Sequence, residues 1–137
     1  MILIDSNVLI DILDNEADWF DWSMGQLENV TRMGPVAINH VVLAEVAPHQ
    51  GDLSEFLETL EAMMIGIEPM TDSGAYMAGR AFLEYRKKRE RPGSVIADFL
   101  IAGHAQSLGA TILTRDPRFY QAYFPSVTLI TPDKAET

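Results

Sequence analysis

Four carboxylates stand where ordinary surface acids do not. Asp5 ends the apolar run Met1-Ile2-Leu3-Ile4, and Glu45 lies inside Val41-Val42-Leu43-Ala44-Glu45-Val46-Ala47. Asp98 lies inside Val95-Ile96-Ala97-Asp98-Phe99-Leu100-Ile101-Ala102, and Asp116 closes a segment that begins at Ala110. An ionised carboxylate buried without a partner is costly, and only Arg115 adjoins any of the four. Brought together, each pair at ~4 Å would repel by about 4 kcal/mol at an effective dielectric of 20. A divalent cation removes that conflict, and hard carboxylate oxygens with water suit Mg²⁺ or Mn²⁺. Each acid also has an ordinary use. Asp5 and Asp116 can cap helices, the latter with Pro117 at the first helical position, and Glu45 and Asp98 can face solvent from amphipathic helices. The residues alone therefore point to an acidic metal site without showing that the four converge.

The elements that would have to position them follow from apolar patterning. Met1–Ile4 is a short continuous apolar run, as in a strand buried on both faces of a parallel sheet, and Val8, Leu9, Ile12 and Leu13 follow at helical spacing. This places Asp5 at the carboxyl end of a central strand, where open α/β sheets bind ligands. A second helix enters near Asn15–Asp18 with Phe20, Met24 and Leu27 on one face and Trp19 and Trp22 beside it. Val36–Ile38 is a strand, and Asn39 caps a helix from His40 to Ala47. Ser54 opens a helix with Phe56, Leu57, Leu60, Met63 and Met64 on one face, stopped by Gly66, and Ile65–Ile67 is a brief strand. A long helix from Asp72 or Ser73 turns Ala78, Phe82 and Tyr85 inward and ends in a basic run. After Pro92-Gly93 a helix capped by Ser94 runs to about Leu108, closed by Gly109. Ala110–Thr114 is a strand, a short helix carries Phe119 and Tyr123, and Val127–Ile130 is the last strand. Residues 133–137 are expected to fray. Strands alternating with helices give an α/β fold, one domain over residues 1–137, with a parallel sheet of four to five strands and helices on both faces.

Composition narrows the class. The chain has 137 residues, 47% of them apolar, which suits one globular domain. No apolar run approaches the ~20 residues that span a bilayer, and no basic segment precedes the first strand, so neither a membrane anchor nor a signal peptide is expected. There are no cysteines, which removes disulfides, zinc–thiolate sites and thiol nucleophiles; a cytoplasmic protein is the expectation. The net charge of −10 argues at first against a nucleic-acid partner. Its distribution qualifies that: residues 1–70 hold 13 acids and one base, Arg32, whereas residues 71–137 hold 7 acids and 9 bases. Five of the ten bases fall in Arg86-Lys87-Lys88-Arg89-Glu90-Arg91, a patch that can engage phosphate.

Four motifs in order resemble the PIN-domain ribonucleases, and among them the VapC-type toxins of toxin–antitoxin pairs. They are Ile4-Asp5-Ser6-Asn7-Val8-Leu9-Ile10, Val42-Leu43-Ala44-Glu45-Val46, Asp98-Phe99-Leu100-Ile101-Ala102-Gly103-His104-Ala105 and Leu113-Thr114-Arg115-Asp116-Pro117-Arg118-Phe119. Each motif is weak alone; their order and spacing across the chain are specific. The resemblance implies a Rossmann-like sheet with Asp5, Glu45, Asp98 and Asp116 around Mg²⁺ or Mn²⁺. It also implies endonucleolytic cleavage of RNA by metal-activated water, leaving 5′-phosphate and 3′-hydroxyl ends. Asp5 and Asp98 would lead as ligands, Glu45 would act as ligand or water-orienting base, and Asp116 would bind through water or complete a second metal's shell. Ser6, Asn7 and Thr114 would hold those carboxylates in orientation; Ser6 replaces the Thr often found there. A VapB-type antitoxin covering the active site and self-association into a homodimer are implied likewise.

Outside the acidic set, Arg115 and Arg118 are candidates for substrate phosphate, and Arg86 and Lys87 are further ones, although a basic helix end is also stabilised by the helix dipole. His104 is not on the helical face of Asp98 and reads as packing or surface, as do His40 and His49. Other functions fit less well. A haloacid-dehalogenase-type phosphohydrolase needs an acid/base Asp two residues after the first, where Asn7 stands. A receiver-like or other acidic-pocket binding module needs an acceptor Asp at a middle strand with a basic partner, and none is evident. A solitary RNA-processing PIN nuclease is the nearest alternative.

Overall fold

The computed structural model describes residues 1–88 and 96–132. At its centre lies a five-stranded, wholly parallel sheet in the order β3-β2-β1-β4-β5. β1 (Ile2–Ile4) is the middle strand, pairing β2 (Val36–Ile38) on one side and β4 (Thr111–Leu113) on the other. β3 (Ile65–Ile67) and β5 (Leu129–Ile130) form the edges. Each strand is only two or three residues long; β1, β4 and β5 are shorter than the apolar runs that announce them. The chain builds outward from β1 through β2 to β3, then crosses back to β4. That reversal lies between β1 and β4, the kind of switch point at whose carboxyl edge parallel sheets form crevices.

The helices are α1 (Ser6–Leu13), α2 (Phe20–Thr31), α3 (His40–Val46), α4 (Leu53–Ala62), α5 (Asp72–Lys88), α6 (Ile96–Leu108) and α7 (Pro117–Tyr123), with a 3₁₀ turn at Ala47–His49. Ile2, Leu3, Ile4, Ile38, Ile112 and Leu113 form the sheet's share of the core, covered by Val8, Leu9, Val42, Phe56, Leu60, Phe99 and Ile101 from the helices. α5 and α6 pack so closely that a Cβ on Gly103 would overlap the Gly74 carbonyl. Phe99 sits in an aromatic cluster with Phe82, Tyr85, Phe119, Tyr123 and Phe124, which seats α7 against α5 and α6.

Several details depart from the sequence patterning: the second helix begins at Phe20, not near Asn15–Asp18, and the last strand spans only Leu129–Ile130. On α4 only Phe56 and Leu60 are buried; Leu57 is 39% and Met64 73% exposed. The pattern overstates that face because α4 packs on the sheet's edge, where there is too little surface to cover a wider stripe. Nor does Gly66 stop the helix. Met64 does, in the left-handed region at φ 61°, and Gly66 lies within β3. Gly109, at φ 63°, closes α6 as its sequence position predicts. Pro92-Gly93, the Ser94 cap and the tail 133–137 lie outside the described residues.

Candidate active site

The carboxyl ends of β1 and β4 open into a crevice of about 200 Å³ lined by Asp5, Ser6, Asn7, Glu45, Asp98, Asp116, Phe119 and Tyr120. The four singled-out acids thus come from four separate segments to one place. Among the described lining residues there is no Lys or Arg.

Asp5 is its fixed point. β1 ends where Asp5 N donates to Leu113 O at 2.9 Å, and α1 begins at once, so the side chain stands at the helix N-cap. Oδ1 accepts from Ser6 N at 2.7 Å. Oδ2 accepts from two hydroxyls, Thr114 Oγ1 at 2.8 Å and Tyr120 Oη at 2.7 Å. Capping and siting are therefore the same arrangement: the amide that satisfies the helix start also fixes the carboxylate's rotamer. Burial raises the Asp5 pKa, the two hydroxyls and the Ser6 amide oppose that, and the charge of Asp116 adds to it. Burial first, and then the Asp5 charge, push the Tyr120 hydroxyl far up, so it is a permanent donor.

The neighbours of Asp5 extend its order. Ser6 Oγ donates to Glu45 Oε1 at 2.6 Å, so a single residue holds two of the four carboxylates. Thr114 Oγ1 accepts from Asp116 N at 3.0 Å and lies 3.4 Å from Asn7 Nδ2. Asn7 Oδ1 accepts from Arg115 N at 3.1 Å. Asp116 occupies the N-cap position of α7, yet its side chain makes no capping bond; Pro117 removes one donor there, and the carboxylate is left exposed beside the crevice.

Asp98 lies in the first turn of α6, where the helix dipole favours an anion. Its pKa is nevertheless raised to about 6, by burial first and then by the charges of Asp5, Glu45 and Asp116. The crevice is thus strongly negative and uncompensated from within. Asn39, at the base of α3, caps that helix by accepting from Val42 N at 3.0 Å, and its amide lies 3.2 Å from His104 Nδ1. Fully buried, His104 is a packing residue that ties the Glu45 helix to the Asp98 helix; burial lowers its pKa.

The donors are hard oxygens set apart around an open cleft: among the described residues no three His, Asp or Glu side chains are grouped closely enough to hold a metal ion between them. The donor chemistry fits Mg²⁺ or Mn²⁺ completed by water, since such ions keep several waters in their shell.

Arg115 is placed differently from its neighbours. Its guanidinium bonds Asp11, Nε to Oδ2 at 2.6 Å and Nη2 to Oδ1 at 3.2 Å, and lies 5.4 Å from the Trp19 ring centroid. A candidate for phosphate contact from its sequence position, Arg115 is paired with Asp11 and is not among the residues that line the crevice. Arg118, Arg86 and Lys87 are exposed, Arg86 over the Phe82 ring and Lys87 3.5 Å from Glu84. The patterning missed Tyr120, Asp11 and Ser23. Asp11 carried a usable signal, a carboxylate between Ile10 and Ile12; Tyr120 carried none, being one aromatic among several in α7.

No curated protein sequence matches the chain. Among solved structures, it is similar to a chain of VapBC2 from Rickettsia felis bound to a promoter DNA fragment, at 22% identity and TM-score 0.73, over 97% of this chain and 100% of that one. It resembles DNA-bound VapBC from Salmonella typhimurium at 20% identity and TM-score 0.69, over 95% and 96% of the two chains. It also resembles VapC20 from Mycobacterium tuberculosis, described as a sarcin-ricin loop cleaving toxin, at 14% identity and TM-score 0.60, over 93% and 99%. At these identities the likeness is one of fold. The PIN domain family model matches residues 2–125, nearly the whole sheet and all seven helices, and the chain belongs to the PIN domain family.

Proposed function

We propose that the protein is a Mg²⁺- or Mn²⁺-dependent endoribonuclease and the toxin of a toxin–antitoxin pair. The observation that carries the catalytic part is a single crevice lined by Asp5, Glu45, Asp98 and Asp116 with no cationic side chain among its described lining. Asp5 and Asp98 would be the principal ligands. Glu45 would be a ligand or hold the attacking water, and Asp116 would bind through water. When bound, the cation supplies Lewis acidity at the phosphate and lowers the pKa of a water molecule, the standard requirements for in-line phosphodiester hydrolysis.

The chain's own residues do the positioning. Thr114 and Tyr120 occupy one oxygen of Asp5, and Ser6 N orients the other. Ser6 aims Glu45. Asn7 and Thr114 hold the backbone from which Asp116 projects. The negative crevice repels the RNA backbone until the cation is in place, so metal and substrate binding are coupled. Arg118, Arg86 and Lys87 are the exposed cations proposed to meet phosphate. The toxin reading rests on the VapBC complexes among the structural neighbours. A VapB-type antitoxin and a homodimer are proposed on the same ground.

Purified protein incubated with RNA and Mn²⁺ should produce fragments with 5′-phosphate and 3′-hydroxyl ends. Chelation and Asp98→Asn should each abolish that cleavage. Cleavage that persists in the Asp98→Asn variant overturns the site.

A further inference from the structure

Arg115 presents a problem that the proposed metal site does not solve by itself. It is covalently between Thr114, which holds Asp5, and Asp116, which lines the crevice. A guanidinium adjacent in the chain to a crevice-lining carboxylate is a natural competitor of a divalent cation. Instead it lies on the far side, on Asp11. That carboxylate is 4% exposed and is shaped to receive it: Ser23 Oγ from α2 donates to Asp11 Oδ2 at 2.8 Å, and Arg115 engages both oxygens. Trp19 covers the guanidinium face at 5.4 Å and is itself braced edge-on by Trp22 at 5.9 Å. α1, α2 and the β4–α7 loop thus all contribute to one receptacle for the arginine.

We propose that Asp11 is a positioning residue that sequesters the Arg115 guanidinium, so that the negative charge of the crevice is left for a divalent cation. The inference rests on the metal-site reading above. Its physical content is a competition. With Asp11 neutral, Arg115 loses its carboxylate partner and is free to turn to the crevice carboxylates, where an internal ion pair opposes metal entry. With Arg115 also removed, the competitor is gone and the crevice recovers.

The test is the Mn²⁺ affinity of the purified, metal-free protein by isothermal titration calorimetry, with circular dichroism as a check of folding. Asp11→Asn should weaken Mn²⁺ binding by about tenfold or more, the range for losing a group that orients a metal ligand. Arg115→Met, which keeps the apolar stem on Trp19, should bind Mn²⁺ within about threefold of the parent, and so should the double variant Asp11→Asn/Arg115→Met. Rescue by the second substitution is what a merely structural role for Asp11 would not give. A folded Asp11→Asn protein with parental affinity overturns the inference, as does a double variant as weak as Asp11→Asn alone. If Asp11→Asn does not fold, the double variant, which strands no charge, decides the matter: parental affinity supports sequestration, and a tenfold loss overturns it. A parent protein that binds no Mn²⁺ overturns the metal reading itself, and the inference with it.

Discussion

Asp5 and Asp11 belong to the same short stretch, one capping α1 and the other in its second turn, and both are nearly enclosed, at 7% and 4% exposure. Their surroundings are opposite. Asp11 is met by a cation in bidentate geometry and by a hydroxyl, so its charge is cancelled inside the protein. Asp5 is met by two hydroxyls and an amide, and its nearest charges are those of other acids. Neutral donors orient a carboxylate without neutralising it. A carboxylate built for stability is paired with a fixed cation of the chain. Asp5 is instead held rigid by neutral donors, as the proposed cation site requires.

That contrast can be broken in several places. The largest effect is expected at the unpaired end. Asp98→Asn should lower metal-dependent RNA cleavage on the order of a thousandfold or more with the fold intact; a small loss, measured by initial rates on an RNA substrate, would make Asp98 peripheral. At the paired end, Asp11→Asn breaks the buried ion pair and should cost about 3 kcal/mol in urea unfolding. A cost under about 0.5 kcal/mol would reduce the pair to a surface bridge.

Tyr120→Phe separates orientation from packing. It removes one of the two hydroxyls on Asp5 Oδ2 and keeps the ring, so stability should move by only about 1 kcal/mol. Mn²⁺ affinity should fall about tenfold. A variant that loses stability but not affinity would make Tyr120 a core residue only.

The charge imbalance itself should be visible as a pH effect in the metal-free protein. Asp98 has its pKa raised from 3.8 to about 6, so between those values the folded state holds more protons than the unfolded one. This contribution to stability is present below 3.8 and is lost as pH rises through about 6. Asp98→Asn should therefore be more stable than the parent at neutral pH in chelator, and the Asp98 carboxyl should titrate near 6 by carbon-13 NMR. A value near 3.8 would mean that the crevice charges are not coupled. The smallest effect is expected at the exposed Glu84–Lys87 pair, 3.5 Å apart. Glu84→Ala should change stability by less than about 0.5 kcal/mol, a baseline against which Asp11–Arg115 stands out.

Local signals were legible where local forces act. The Asn39 cap, the Gly109 stop and the β2 boundaries follow from short-range hydrogen bonding and steric preference, and they appear as the residues announce them. Signals that depend on a neighbour were less so. The α4 stripe looked wider than it is, since no sequence window knows that its partner is the sheet's edge. Arg115 looked like a substrate contact because proximity in sequence to Asp116 says nothing about which way a long side chain turns. Tyr120 was invisible, since a hydroxyl aimed at Asp5 from 115 residues away leaves no periodicity.

The sequence by itself determined the alternation of strands and helices and four acids out of place in apolar segments, because burial and period are encoded residue by residue. Only the tertiary structure decided that these acids share one crevice, that hydroxyls rather than cations attend Asp5, and that Arg115 pairs with Asp11. Those outcomes depend on which elements cross at the β1–β4 switch point and on distances of a few ångströms between segments far apart in the chain, where charge and hydrogen-bond geometry, not pattern, select the partner.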